Sequence, residues 1–181
     1  LVLDEADRML DMGFLPAITQ ILETMPETRQ TLFFSATIEQ SVAHLINNYL
    51  NNPVRIAIGS TTKPAEHVDL HVYEVEQDRK LGLLRLMLTD EQGSFLVFAR
   101  TKHGADRLAK KLSAHGVKAT MIHGDRTQAQ RNQALKGFQQ GYYRVLVATD
   151  VAARGIHVDG IAHVVNFDLP QVPEDFIHRV G

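Results

Sequence analysis

The run Leu1-Val2-Leu3-Asp4-Glu5-Ala6-Asp7 delivers consecutive carboxylates at the end of an apolar segment, and a helix-compatible stretch follows. Carboxylates in that position suit a hard cation and a phosphate. Asp4 can hold a largely hydrated Mg²⁺ through its waters, and Glu5 can orient or deprotonate a water attacking a γ-phosphate. A buried strand ending in acidic helix-capping residues is the plainer account of the same letters. Further along stand four more candidates. Ser35-Ala36-Thr37 closes a second apolar stretch, and Thr37-Ile38-Glu39-Gln40 also fits a capping box that starts a helix. Thr101 follows the apolar run 95–99, where a hydroxyl can cap a helix or meet a phosphate. Gln128-Ala129-Gln130-Arg131 sets a cation near a helix start, so that its charge and free backbone N–H groups can act together on an anion. Ala148-Thr149-Asp150 leads from another apolar run into Ala153-Arg154-Gly155, where a glycine allows a tight bend or a close approach to a ligand.

Positioning these residues requires strands that end where the chemistry begins. Short apolar strands alternate with amphipathic helices, the pattern of βα units in a parallel sheet. Strands are expected over 1–3, 31–34, 54–58, 71–75, 95–99, 118–123, 144–149 and 163–167. Helices are expected over 16–25, 39–50, 79–88, 103–115, 128–140 and from 173. The polar stretch 59–66 reads as a linker, and Asn51-Asn52-Pro53 as a helix stop. Composition agrees with an intracellular, soluble α/β protein: 181 residues with no cysteine exclude a disulfide framework and a thiolate metal site. With 19 Lys and Arg against 21 Asp and Glu, the net charge of -2 leaves no bulk electrostatic case for nucleic-acid binding. Any such binding must come from local arrangement. No long apolar run or presequence is present in these residues, so a cytoplasmic location is expected. The chain starts on an apolar strand without Met and stops within a helical pattern, which reads as an internal fragment.

Taken in order, these motifs resemble those of the DEAD-box ATP-dependent RNA helicases. Asp4 to Asp7, extended through Arg8-Met9-Leu10-Asp11-Met12-Gly13-Phe14, resembles motif II, and Ser35-Ala36-Thr37 resembles motif III. The run 95–102 is similar to motif IV, Gln128 to Arg131 to the Gln-x-x-Arg element, and 145–156 to motif V. His178-Arg179-Val180-Gly181 resembles the opening of motif VI. The resemblance implies RecA-like parallel sheets flanked by helices: the last part of a first, ATP-binding domain at 1–59, a linker at 60–70, and most of a second domain at 71–181. It implies ATP and Mg²⁺ as cofactors and RNA, single-stranded or a short duplex, as partner.

The same resemblance assigns roles. Asp4, Glu5, Asp7, Ser35 and Thr37 serve catalysis, with Asp4 on the metal through water; Gly155, His157 and Arg179 face the nucleotide; Asp7 and His178 couple the domains. Thr101, Gln128, Arg131 and Thr149 contact the nucleic-acid backbone, which carries no base information and makes binding sequence-independent. One departure is His157, which stands where the family usually has an Asp reaching the ribose; imidazole can donate or accept there according to tautomer. No Gly-x-x-x-x-Gly-Lys-Ser/Thr sequence occurs in the chain, nor do the further arginines with which motif VI continues. By analogy with arginine fingers, lacking those arginines removes roughly 10³ to 10⁵ in rate, so these residues alone are expected to be inactive as an ATPase. The rival readings are a DNA helicase or translocase of the same architecture, and a non-catalytic module that binds RNA or protein.

Overall fold

The computed structural model describes residues 1–11, 13–35, 40–57, 68–153, 158–170, 175–176 and 179, with the side chains of 8, 11, 40 and 41 excepted. The chain divides into two compact units, Leu1–Lys63 and Pro64–Gly181.

In the first unit, β1 (Val2–Leu3) and β2 (Leu32–Phe33) pair in parallel, Val2 opposite Leu32 and Leu3 opposite Phe33. Helices α1 (Ala6–Asp11), α2 (Leu15–Glu23) and α3 (Gln40–Tyr49) accompany them. Pro16 lies in the first turn of α2, where its missing N–H would have had no intrahelical partner. Ile18 and Leu22, four apart on α2, pack with Leu45 of α3 and with Leu3, Met9 and Phe33 in a small core.

The second unit is a four-stranded, all-parallel sheet in the order β4-β5-β3-β6. Its strands are β3 (Phe95–Phe98), β4 (Ala119–Ile122), β5 (Val145–Ala148) and β6 (His163–Asn166), joined through α5 (Lys102–Ala114), α6 (Gln128–Gln139) and the short α7 (Asp150–Ala153), with α4 (Lys80–Asp90) ahead of β3. Central β5 reads Val-Leu-Val-Ala and is wholly buried, because both faces are covered. Val145 and Val147 point to one face with Leu84 and Leu88 of α4 and Ala105, Leu108, Ala109 and Leu112 of α5. Leu146 and Ala148 point to the other, with Ala134 and Phe138 of α6 and Ala152 of α7. The buried positions of α5 recur at i, i+3, i+4 and i+7, the stripe a helix needs to cover a sheet.

Two expected strands, 54–58 and 71–75, are not formed among the described residues. Residues 54–57 and 71–75 have no ladder partner among the described residues, and most of their apolar side chains stand in solvent, with Val54 88%, Ile56 80% and Val72 97% exposed. Apolar alternation marks a segment fit for a strand, but the ladder needs a neighbour. Helix α7 was not expected; it occupies the start of what reads in sequence as a tight turn. Most of the expected linker and of the helix from 173 lies outside the described residues.

Candidate functional site

In the first unit the candidate residues gather at the carboxyl ends of two neighbouring strands. The register of β1 on β2 continues past both strands: Phe34 N–H donates to Leu3 O at 2.8 Å and Ala6 N–H to Phe34 O at 3.0 Å. Asp4 to Asp7 therefore lie alongside the chain that leads into Ser35. Asp4 is exposed and accepts the Glu5 N–H on Oδ1 at 3.0 Å. Glu5 has φ 50, a left-handed conformation that an ordinary side chain adopts only at a cost of order 1–3 kcal/mol. Such outliers concentrate at functional sites. Asp7 is only 5% exposed, a buried carboxylate at the start of α1. An exposed carboxylate at a strand end offers the hard oxygen a hydrated magnesium ion needs, so Asp4 fits the expected cation. Thr37 lies outside the described residues.

The second unit brings Thr101, Gln128, Arg131 and Thr149 to the carboxyl ends of β3, β4 and β5, which are adjacent in the sheet. Thr101 is the N-cap of α5, its Oγ1 accepting from Gly104 N–H at 3.0 Å. Capping and phosphate contact are compatible here, since a hydroxyl that accepts from the helix retains a proton to donate. Thr127, ahead of Gln128, forms a reciprocal capping box with Gln130 and fixes the start of α6. Arg131 then donates from Nη2 to Ala152 O at 3.1 Å, bridging α6 to α7, while Nη1 lies 3.5 Å from Gln128 Oε1. Thr149 is 9% exposed and precedes α7, its carbonyl accepting from Ala152 and Ala153 N–H.

Arg179, expected to face the nucleotide, is buried in a polar network. It is 5% exposed and clasps Asp150 with two donors, Nε to Oδ1 at 2.6 Å and Nη2 to Oδ2 at 2.8 Å. Nη1 donates to Asn166 Oδ1 and Asp168 O at 2.7 and 2.8 Å, and the guanidinium lies over the Phe98 ring at 4.7 Å. A planar fork used in this way is committed to holding α7, one residue beyond Thr149. Asp168 completes the network through Lys80 Nζ and Arg100 N–H. Asp150 was visible after Ala-Thr, but its distant partner was not. Gly155, His157 and His178 lie outside the described residues.

A second polar cluster underlies the start of α6. His123 is 3% exposed, with Nε2 3.3 Å from Asp106 Oδ1, to which Arg126 Nη2 donates at 3.0 Å. Burial pushes the Asp106 carboxyl up, but His123 and Arg126 outweigh it and hold it below the usual carboxylate range. Lys102 meets Asp125 at 3.0 and 2.8 Å from its two oxygens. The Lys102 hydrogen bond lowers the Asp125 carboxyl. The open groove of about 600 Å³ between residues 72–75 and α4 includes none of the candidate site residues. Among the described residues no cluster of three or more His, Cys, Asp or Glu could form a protein-built metal cage, and no helix is long and apolar enough to cross a membrane.

A doubly covered parallel sheet with cations and hydroxyls at its carboxyl edge defines an α/β domain of the kind that binds phosphate-bearing ligands there. Comparison with known proteins narrows this. The helicase conserved C-terminal domain matches residues 78–181, and the DEAD/DEAH box helicase domain matches 1–45. Over 100% of the chain, identity is 46% to the ATP-dependent RNA helicase RhlB of Pseudomonas syringae pv. tomato, of which it covers 46%. It is also 46% to the ATP-dependent RNA helicase DBP2 of Lodderomyces elongisporus, of which 34% is covered. Among solved structures, S. cerevisiae Dbp5 bound to RNA and ADP BeF3 superposes with TM-score 0.86 at 30% identity, covering 99% of this chain and 48% of that one. A DEAD box protein from Methanococcus jannaschii gives 0.61 at 36% identity, covering 99% and 48%. The chain belongs to the DEAD-box RNA helicase family, with the RecA-like architecture of its members. It spans a third to about half the length of these curated relatives.

Proposed function

We propose that this chain is part of an ATP-dependent RNA helicase that couples ATP binding and hydrolysis to local unwinding of short RNA duplexes or remodelling of RNA–protein complexes. Residues 1–59 belong to the ATP-binding RecA-like domain, 60–70 to the linker and 71–181 to the second RecA-like domain. The observation that carries this reading is the gathering of Thr101, Gln128, Arg131 and Thr149 at the carboxyl ends of three adjacent parallel strands. Such groups grip a sugar–phosphate backbone without reading bases, and phosphate contacts supply the affinity.

In the first unit, Asp4 holds the water shell of magnesium and Glu5 orients the attacking water, while Asp7, Ser35 and Thr37 link that site to the RNA-binding state. Bound magnesium and ATP supply a polarised γ-phosphoryl group with its charge partly neutralised. Gly155 and His157 serve nucleotide binding, and His178 couples the domains. Arg179 acts through Asp150, holding the turn after Thr149. The protein works in the cytoplasm.

Magnesium-dependent ATP hydrolysis by the complete gene product, measured with RNA and with DNA, tests this reading. Stimulation by RNA that is lost in Glu5→Gln is expected; stimulation by DNA alone would favour a DNA translocase. The 181 residues by themselves contain no Gly-x-x-x-x-Gly-Lys-Ser/Thr cradle and are expected to release no phosphate above background.

A further inference from the structure

A carboxylate stands among the candidate phosphate contacts, in the turn between β4 and α6. Asp125 is three residues ahead of Gln128 and holds Lys102, the residue after Thr101, across a sequence separation of 23. Both of its oxygens approach Nζ, at 3.0 and 2.8 Å, so the ammonium is occupied as two oxygens of a phosphate would occupy it. A negative group here opposes RNA binding and calls for a reason.

Stability is a weak reason. The Lys102 and Asp125 side chains are 48% and 56% exposed, and solvent-screened pairs of this kind contribute little to stability. The Arg179–Asp150 pair in the same unit is different: its side chains are 3% and 24% exposed, with two hydrogen bonds, and separating it would strand a buried cation. One pair is a clasp and the other is exchangeable. Lys102 opens α5 and Asp125 lies in the turn before α6, so the exchange takes place between the starts of two helices whose N–H groups favour an anion.

We propose that Asp125 is a built-in competitor for RNA phosphate: its carboxylate holds the Lys102 ammonium until a backbone phosphate takes it over, which lowers RNA affinity and flattens its salt dependence. The proposal rests on the reading that this edge grips RNA. While Asp125 holds Lys102 the site carries no net charge, so transfer of the lysine to a phosphate leaves the carboxylate to recruit a cation from solution. The net release of counterions at this position is then close to zero. Replacing the carboxylate by an amide removes the competitor, and one further phosphate contact then contributes about 0.7 to the slope of log affinity against log salt for a single strand.

The test is a double-mutant cycle on the full 181-residue chain, read by fluorescence anisotropy with a short fluorescein-labelled oligouridylate over roughly 50 to 200 mM salt. Thermal melting of each variant checks folding. D125N is expected to bind more tightly, by up to about fivefold at the low-salt end, with the steeper slope. The gain from D125N is expected to be about threefold larger with Lys102 present than in the K102A background. The general repulsion between Asp125 and RNA acts in both backgrounds and cancels in that comparison. Equal gains in the two backgrounds would mean that the pair stays intact on RNA, and would overturn the proposal while leaving RNA binding in place. If no variant binds the oligonucleotide, the reading of this edge as an RNA grip fails first.

Discussion

Thr101 shows how one side chain can serve the fold and the ligand together, and the two roles can be separated. Its Oγ1 caps α5 through Gly104 N–H, a contact worth about 1 kcal/mol, while its proton remains for a phosphate. Thr101→Asp keeps an excellent cap but replaces a donor by an anion. Its melting temperature is expected to stay within a few degrees of the parent while RNA affinity falls at least about tenfold, the scale of one lost contact plus repulsion. A parallel loss of stability and affinity would mean that Thr101 only caps. Asp106 permits a pH test. Its carboxyl is lowered from the ordinary value of 3.8, with His123 and Arg126 prevailing over burial, so its ionised form favours the folded state. That contribution is complete above pH 3.8 and fades as pH falls through the lower, folded-state value. The melting-temperature gap between the parent and Asp106→Asn is therefore expected to be full near neutrality and to narrow in acid; a gap constant down to the acid limb would contradict it. At this scale the motifs gave residue types and order. The left-handed Glu5 and the buried Arg179 were hidden, because the first depends on backbone conformation and the second on a partner 29 positions away.

The elements were legible where local chemistry specifies them and hidden where a distant partner does. Helices α4, α5 and α6 and strands β3 to β6 follow the apolar periods of the sequence to within one or two residues. The segments 54–57 and 71–75 carry the same apolar pattern yet pair with nothing among the described residues, since pairing is set by topology rather than by the strand itself. Thr127-Gln128-Ala129-Gln130 carries the same Thr-x-x-Gln pattern as Thr37 to Gln40, and at the start of α6 the capping box forms. Arg144 is another element-scale device invisible in sequence. From the start of β5 it donates to Gly93 O at 3.1 Å, to Leu88 O at 2.6 Å and to Glu91 O, and it lies 5.4 Å from the Phe95 ring centroid. It thus ties the carboxyl end of α4 to the amino edge of the sheet. Arg144→Ala is expected to cost on the order of 2 kcal/mol, chiefly by stranding the Leu88 carbonyl, and Arg144→Lys is expected to recover less than half because an ammonium cannot span three carbonyls. Urea denaturation followed by circular dichroism measures both. RNA affinity is expected to remain unchanged, since Arg144 lies at the opposite edge from the candidate contacts.

At the scale of the molecule, the two units differ in what they bury. The first has a two-stranded sheet of two-residue strands, whereas the second covers both faces of a four-stranded sheet. Two-stranded sheets are marginal in water, so limited proteolysis is expected to degrade residues 1–57 well before 80–153. Equal resistance would contradict this. The parallel α/β class was legible in sequence because short apolar strands alternate with amphipathic helices; the side chains that join neighbouring strand ends were not. The proposed RNA path runs across the carboxyl ends of β3, β4 and β5. Hydrogen–deuterium exchange of the chain with and without a single-stranded RNA oligonucleotide tests it most directly. Slower exchange in 101–104, 124–131 and 149–152, with no change at the amino edge in 91–94 and 141–144, is the expected result. Protection confined to the amino edge, or none at the three carboxyl-end segments under conditions where RNA is bound, would contradict it.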